Sequence, residues 1–177
     1  MKILSFDSET NGLWGSAFAI GAILYGEDGK EERVFSGRCP IGSDSESINP
    51  WVQENVLPQM EGIPENFSSY EELLKAFAGF YLENKADATV LVHMGVPVEV
   101  RLFLDMHNLG LIGDWDGPYP LIDIAGNLQQ AGFDPTSVDA YNASHGIEVP
   151  KTDAGGTHNP LYDSRAAALC YMHLMNK

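Results

Sequence analysis

Residues 3–13, ILSFDSETNGL, decide how this 177-residue chain is read. Residues 3–7 form a short, mostly apolar run that reads as a buried strand. Two carboxylates, Asp7 and Glu9, stand at i and i+2 at its end, and alternation along a strand projects both from the same side. That spacing suits hard divalent cations, which take carboxylate oxygens. Two such ions about 3.5 to 4 Å apart can activate a water and stabilise the leaving oxygen of an in-line phosphoryl displacement. Taken alone, a DxE sequence is more often a solvated strand end, so its weight depends on the rest of the chain.

Working outward, residues 17–25 read as a second strand and residues 32–39 as a third, joined through a turn at 26–29 into an antiparallel edge. Residues 40–49 form a loop rich in Ser and Gly. Pro50 opens a helical stretch to about residue 57. Ser69 caps a clearer helix over 70–84, with Glu72 at capping-box spacing. The β-branched run at 89–93 is typical of a buried strand, and Pro97 starts a helix that carries Glu99. A short strand at 121–123 ends in Asp123, which reads as a helix N-cap. Helices follow at 124–131, 137–145 and 161–175. The order βββαβαβαα predicts an α/β fold: a mixed five-stranded sheet, its first three strands antiparallel, flanked by helices in one domain over 1–177. Loops at 110–120 and 148–157 are candidate rims of a site.

The second chemical constellation is HNPLYD, with His158 on a loop and Asp163 five residues later in the opening turns of the last helix. A neutral imidazole there can act as general base for an attacking water while the helix-borne carboxylate completes a metal site. Five His and twelve Asp in 177 positions give about 0.3 chance occurrences of His-x4-Asp, so position and company carry the argument.

With both constellations in place, the chain resembles over nearly its full length the DnaQ-like, or RNase T-like, DEDDh exonucleases. That family has Asp and Glu on the first strand, a second Asp in the middle, and His-x4-Asp opening the last helix. The resemblance implies a ribonuclease H-like fold and 3′-to-5′ exonuclease activity on single-stranded DNA or RNA ends, releasing nucleoside monophosphates. It implies two Mg²⁺ or Mn²⁺ ions held by Asp7, Glu9 and Asp163, with His158 as general base. In the middle motif, ATVLVHMGVPVEVRLF, Met94 stands where Asn is usual. The acidic residue is Glu99, not Asp, and falls one position late. Glu99 is assigned as the fourth carboxylate, since its extra methylene is tolerated best by a ligand acting through water. Asp105 is the runner-up, and a solvated-face Glu99 is the bland alternative. A homodimer is admitted only by analogy with the RNase T branch.

Around these residues, Thr10, Gly12, Leu13 and Trp14 are candidate substrate contacts. Gly12 lets the backbone approach a terminal nucleotide, and Trp14 can stack on a base, although core packing is the favoured reading of Trp14. His93 either lines the site or is a buried, hydrogen-bonded histidine at a strand end. Arg165 either touches phosphate or, by preference, pairs with an acid. His107, His145 and His173 lack carboxylate company at useful spacing and read as structural or surface residues.

Composition is globular, with 44% hydrophobic and 20% charged residues. No apolar stretch approaches the ~20 residues of a membrane span, and the N-terminus lacks a signal-peptide layout, so a cytoplasmic location without membrane contact is expected. Cys39 and Cys170 are far apart and read as reduced thiols. The formal charge of −15 counts against a long basic track for nucleic acid. Of the 25 acidic residues, four set aside for metal leave 21 against 10 basic ones. Short or single-stranded substrate, engaged at its end through bound metal, is therefore expected. Two competing classes stand beside the nuclease. One is a DEDD-like module that has lost turnover and binds nucleic-acid ends or a protein partner; the other is a metal phosphatase or nucleotide hydrolase acting on small molecules.

Overall fold

The computed structural model describes residues 1–42, 47–60, 62–151 and 156–176. The centres of the loops expected at 40–49 and 148–157 therefore lie outside the described residues. β1 (Lys2–Thr10), β2 (Ala17–Tyr25) and β3 (Glu31–Arg38) form an antiparallel meander, and β4 (Ala88–Val92) and β5 (Leu121–Asp123) add to β1 in parallel. The strand order is β3-β2-β1-β4-β5, the mixed five-stranded sheet of a ribonuclease H-like fold. β1 runs past its expected end to Thr10, which puts Glu9 as well as Asp7 within the strand.

Six helices cover the sheet among the described residues: α1 (Pro50–Asn55), α2 (Tyr70–Asn84), α3 (Val98–Asn108), α4 (Ile124–Gln130), α5 (Val138–Ser144) and α6 (Pro160–Met175). Two helices precede β4 and three follow β5, as the helices expected at 50–57, 70–84, 124–131, 137–145 and 161–175 require, although the shorthand order βββαβαβαα leaves one out in each place. The helix expected to run from Pro50 to residue 57 stops at Asn55 and gives way to a 3-10 turn over Leu57–Met60. The Ser69 cap is real, since its hydroxyl accepts from the Glu72 amide at 3.3 Å. The Glu72 carboxylate, however, reaches back to the amide and hydroxyl of Ser68, not of Ser69.

Strand alternation divides the core into two layers. Leu4 and Phe6 point toward α2 and α3, where Phe6 meets Phe77 and Phe103 at ring separations of 5.5 Å. Ile3, Ile23 and Tyr25 face α4, α5 and α6. β2 is buried along its whole length, because both of its faces are covered by helices. Each large apolar side chain so buried contributes about 1.5–3 kcal/mol. One glycine sets the position of α6. Gly21 pairs with Asp7 in the ladder, and a Cβ on it would stand 2.2 Å from the backbone nitrogen of Leu161. The first turn of α6 therefore rests on bare backbone, and Ser164 donates to the Gly21 carbonyl at 2.9 Å.

Candidate active site

Ser5, Asp7 and Glu9 alternate with Leu4, Phe6 and Ser8, so the two acids emerge on the α6 side at the C-terminal end of β1. α6 begins with Pro160 after Asn159, whose side chain accepts from the amides of Leu161 and Tyr162. This start, pressed onto Gly21, brings Asp163 beside β1. Asp7, Glu9 and Asp163 then offer carboxylate oxygens that all lie within 4.8 Å of one another. They line a cavity of about 270 Å³ together with Ser8, His93, Glu99 and His158.

The electrostatics follow from crowding like charges away from water. Burial raises the Asp7 carboxyl well above the usual range, and Glu99, Asp163 and Glu9 add to the effect. Burial pushes Asp163 up to about 8, with the charges of Glu9 and Asp139 next in weight. Like charges so converged oppose the ionisation of Asp7 and Asp163, and a divalent ion relieves that opposition. The donor set fits Mg²⁺ or Mn²⁺, which take oxygen ligands.

His158 holds a left-handed backbone (φ 67°), and its amide donates to the Asp163 carboxylate at 2.9 Å. Its Nδ1 stands 3.7 Å from Glu9, an ion-pair distance, and the Glu9 carboxylate raises the imidazole pKa against the opposing effect of burial. The loop is steadied from α5: the hydroxyls of Thr157 and Tyr162 donate to Asp139 at 3.1 and 3.2 Å. The imidazole packs against Trp51 in a T-shaped contact, with ring centroids 5.5 Å apart and planes at 86°.

Glu99 comes from the other layer. It is 3% exposed, which overturns the solvated-face reading, and its Oε1 accepts from the amide and hydroxyl of Ser8, both at 3.0 Å. Burial lifts its carboxyl to about 7 despite these bonds. Glu99 thus lines the cavity but stays outside the three-carboxylate cluster, one strand face away from Asp7 and Glu9. Asp105, the runner-up, accepts from the Tyr70 hydroxyl at 2.7 Å and is not among the cavity's lining residues. Asp123 caps α4 as expected, and it also accepts from the amides of Met94 and Gly95, fixing the loop between β4 and α3. His93 lines the cavity while its Nε2 bonds the Pro135 carbonyl at 2.8 Å, and it is half-buried, not buried as the second reading expected.

Thr10, the last residue of β1, and Gly12, Leu13 and Trp14 in the loop after it are not among the residues lining the cavity. The Thr10 hydroxyl closes that turn onto the Gly12 carbonyl at 2.9 Å. Gly12 has φ 79°, and a Cβ there would meet the Asn49 side chain at 2.7 Å. Trp14 is 73% exposed, so core packing is ruled out for it; its carbonyl is held by Arg101. Arg165 pairs with Glu31 through two 2.9 Å bonds. His107, contrary to expectation, does have a carboxylate partner, Asp114 at 2.8 Å, but on an exposed surface and not among the cavity's lining residues. Both cysteines are free and buried.

Sequence reasoning missed Ser8, Gly21, Trp51 and Asp139. Ser8 stands inside the motif, and alternation alone points it to the opposite face. The others act through contacts between segments far apart in the chain, for which no local pattern exists.

No protein-family model and no curated protein matches the sequence. Solved structures do share its fold. The nuclease domain of 3′hExo, a DEDDh family member bound to rAMP, superposes with a TM-score of 0.69 at 11% identity, covering 99% of this chain and 90% of that one. A full-length 3′-exonuclease gives 0.66 at 12% identity, with 99% and 60% covered. E. coli Exonuclease I in complex with a dA16 oligonucleotide gives 0.59 at 14%, with 99% and 40% covered. The chain therefore has the fold of the DEDDh exonucleases, and it spans less than two thirds of the latter two proteins. Among its described residues no helix is long and apolar enough to cross a membrane.

Proposed function

We propose that the protein is a metal-dependent 3′-to-5′ exonuclease that removes nucleoside monophosphates from the ends of single-stranded DNA or RNA. The observation that carries this reading is the convergence of Asp7, Glu9 and Asp163 within 4.8 Å beside His158, at the mouth of a fold shared with DEDDh exonucleases. Asp7, Glu9 and Asp163 would hold two divalent ions, with Glu99 assisting from its Ser8-bound position. Bound there, the ions supply a nucleophilic water and neutralise charge on the phosphate and the leaving oxygen.

The chain's own groups do the rest. His158, 37% exposed in its side chain, takes the proton of the attacking water at an imidazole nitrogen. The water oxygen bonds to the terminal phosphorus, the bond to the penultimate 3′ oxygen breaks, and that oxygen leaves with the bonding pair and takes up a proton from solvent to become a hydroxyl. Leu13 and Trp14, exposed in the loop after β1, and the cavity residue His93 would contact the last nucleotide. The engagement of Glu99 by Ser8 also motivates a second reading, a module of this fold that binds ends without turnover.

A time course with 5′-labelled DNA and RNA oligonucleotides in Mg²⁺, Mn²⁺ and EDTA decides between the two. A ladder shortening from the 3′ end, lost in EDTA and in Asp7→Ala, and slowed about 10²–10⁴-fold in His158→Ala, is expected. Intact oligonucleotides in every metal would leave the binding module.

A further inference from the structure

Most cations of this acidic chain are committed to acids. All four arginines are held in this way: Arg33 by Glu83, Arg38 by Glu65, Arg101 by Asp105 and Arg165 by Glu31. Lys2, Lys30 and Lys85 are likewise paired. Lys151 is different. It makes no ion pair or hydrogen bond among the described residues, and it stands exposed at the rim of a pocket of about 530 Å³. Asn142 and Ala143 of α5, Ile147 and Val149 of the segment after it, and Tyr162 of α6 form the walls. The pocket shares no lining residue with the active-site cavity.

Asn142 narrows what such a pocket can take. It is 2% exposed, and its Nδ2 donates to the Ala166 carbonyl at 3.0 Å, which identifies the nitrogen end of the amide. Oδ1, at the other end, is buried with no hydrogen-bond partner among the described residues. A buried acceptor left unpaired is rare in proteins, and it calls for a donor from outside the chain. Ile147, Val149 and Tyr162, all half-buried, offer an apolar and aromatic wall. The carboxylates of Asp139 and Glu148 stand beside it and accept from hydroxyl groups. A matching ligand therefore has an anionic end for Lys151, hydroxyls for the carboxylates, a flat body for the apolar wall and an N–H donor for Asn142. A nucleoside monophosphate carries all four, as phosphate, ribose hydroxyls, base and base amine.

We propose that this pocket is a second nucleotide site, separate from the metal-binding cavity, and that it takes a nucleoside monophosphate. The choice of occupant rests on the nuclease reading, because that ligand is the product the reaction would release. Two of its residues, Asp139 and Tyr162, also support the catalytic loop. A nucleotide touching Asp139 is one hydrogen bond from Thr157, the neighbour of His158.

The test is calorimetry on the full chain with AMP and adenosine in EDTA, where the active-site carboxylates have no metal with which to hold a phosphate. Wild type, Lys151→Ala, Ala143→Trp and Asp7→Ala are compared after a thermal melt has shown each to be folded. Wild type should bind AMP, and adenosine about three- to tenfold more weakly. Lys151→Ala should lower AMP affinity to that of adenosine and leave adenosine unchanged. Ala143→Trp, which fills the pocket from an exposed position, should abolish binding of both, and Asp7→Ala should bind like wild type. No binding to wild type at about 1 mM AMP overturns the proposal. Binding that survives Ala143→Trp, or that is lost in Asp7→Ala, also overturns it, since the nucleotide then sits in the active-site cavity. Equal AMP affinity in wild type and Lys151→Ala does the same. The oligonucleotide time course keeps the two readings apart. A chain that cleaves oligonucleotides but binds no AMP in EDTA loses this site alone; one that binds AMP as expected but cleaves nothing keeps the site and loses the nuclease reading.

Discussion

The backbone of Leu161 rests directly on Gly21, so closely that a Cβ on Gly21 would stand 2.2 Å from the Leu161 nitrogen. Gly21 faces Asp7 across the ladder, and Asp163 lies two residues beyond Leu161. The contact therefore sets how near the third carboxylate comes to the first two. Gly21→Ala is expected to push the first turn of α6 outward and lower activity about 100-fold, as a misplacement of ~1 Å does. Rate measurements beside a thermal melt check this. A folded Gly21→Ala protein with undiminished rate would separate the helix position from catalysis.

The carboxyl groups of Asp7, Glu99 (about 7) and Asp163 (about 8) are raised above their ordinary values near 4. Between those limits the folded, metal-free protein keeps protons that the unfolded chain has lost. Stability from these groups is thus full below about pH 4 and is lost as pH rises through about 7 and 8. The melting temperature in EDTA should fall from pH 5.5 to 8.5. Mg²⁺ binds the ionised carboxylates, so its stabilising increment should be larger at pH 8.5 than at 5.5. A flat EDTA profile would contradict the crowding of these acids.

Glu99 has two separable roles. Glu99→Ala strips the partner from the buried amide and hydroxyl of Ser8 and should cost about 1–3 kcal/mol of stability, read from urea denaturation. Glu99→Gln retains an acceptor for Ser8 but no charge, so it should melt close to wild type and still lose most of the rate. Full activity in Glu99→Gln would make the residue a structural brace for β1 alone.

Asp139 is a positioning residue, binding Thr157 on one side of His158 and Tyr162 on the other. Asp139→Ala should lower kcat about tenfold with little change in KM, because His158 loses its support while the substrate surfaces remain. A change confined to KM would instead place Asp139 in substrate binding.

Much of the architecture is carried by local pattern. The buried run at residues 3–7, the apolar stretch of β2, the Ser69 cap and the proline-led helices each follow from propensity and periodicity, and elements form nearly where those rules put them. Asp7 and Glu9 share a face because strand alternation is local. His158 and Asp163 are five residues apart, and their bond is local too.

Contacts across the fold settled the remainder. Glu99 and Ser8 are 91 positions apart, and no spacing rule tells that the carboxylate arrives from the opposite layer and stops at the serine. Trp14 follows the motif directly yet lies exposed, while Trp51, far from any motif, stands against His158. The same holds for Gly21, whose missing side chain matters only once α6 has packed on β2. Chain-local chemistry fixes which groups can act, and the packing of α6, α3 and α1 around the end of β1 fixes which of them meet.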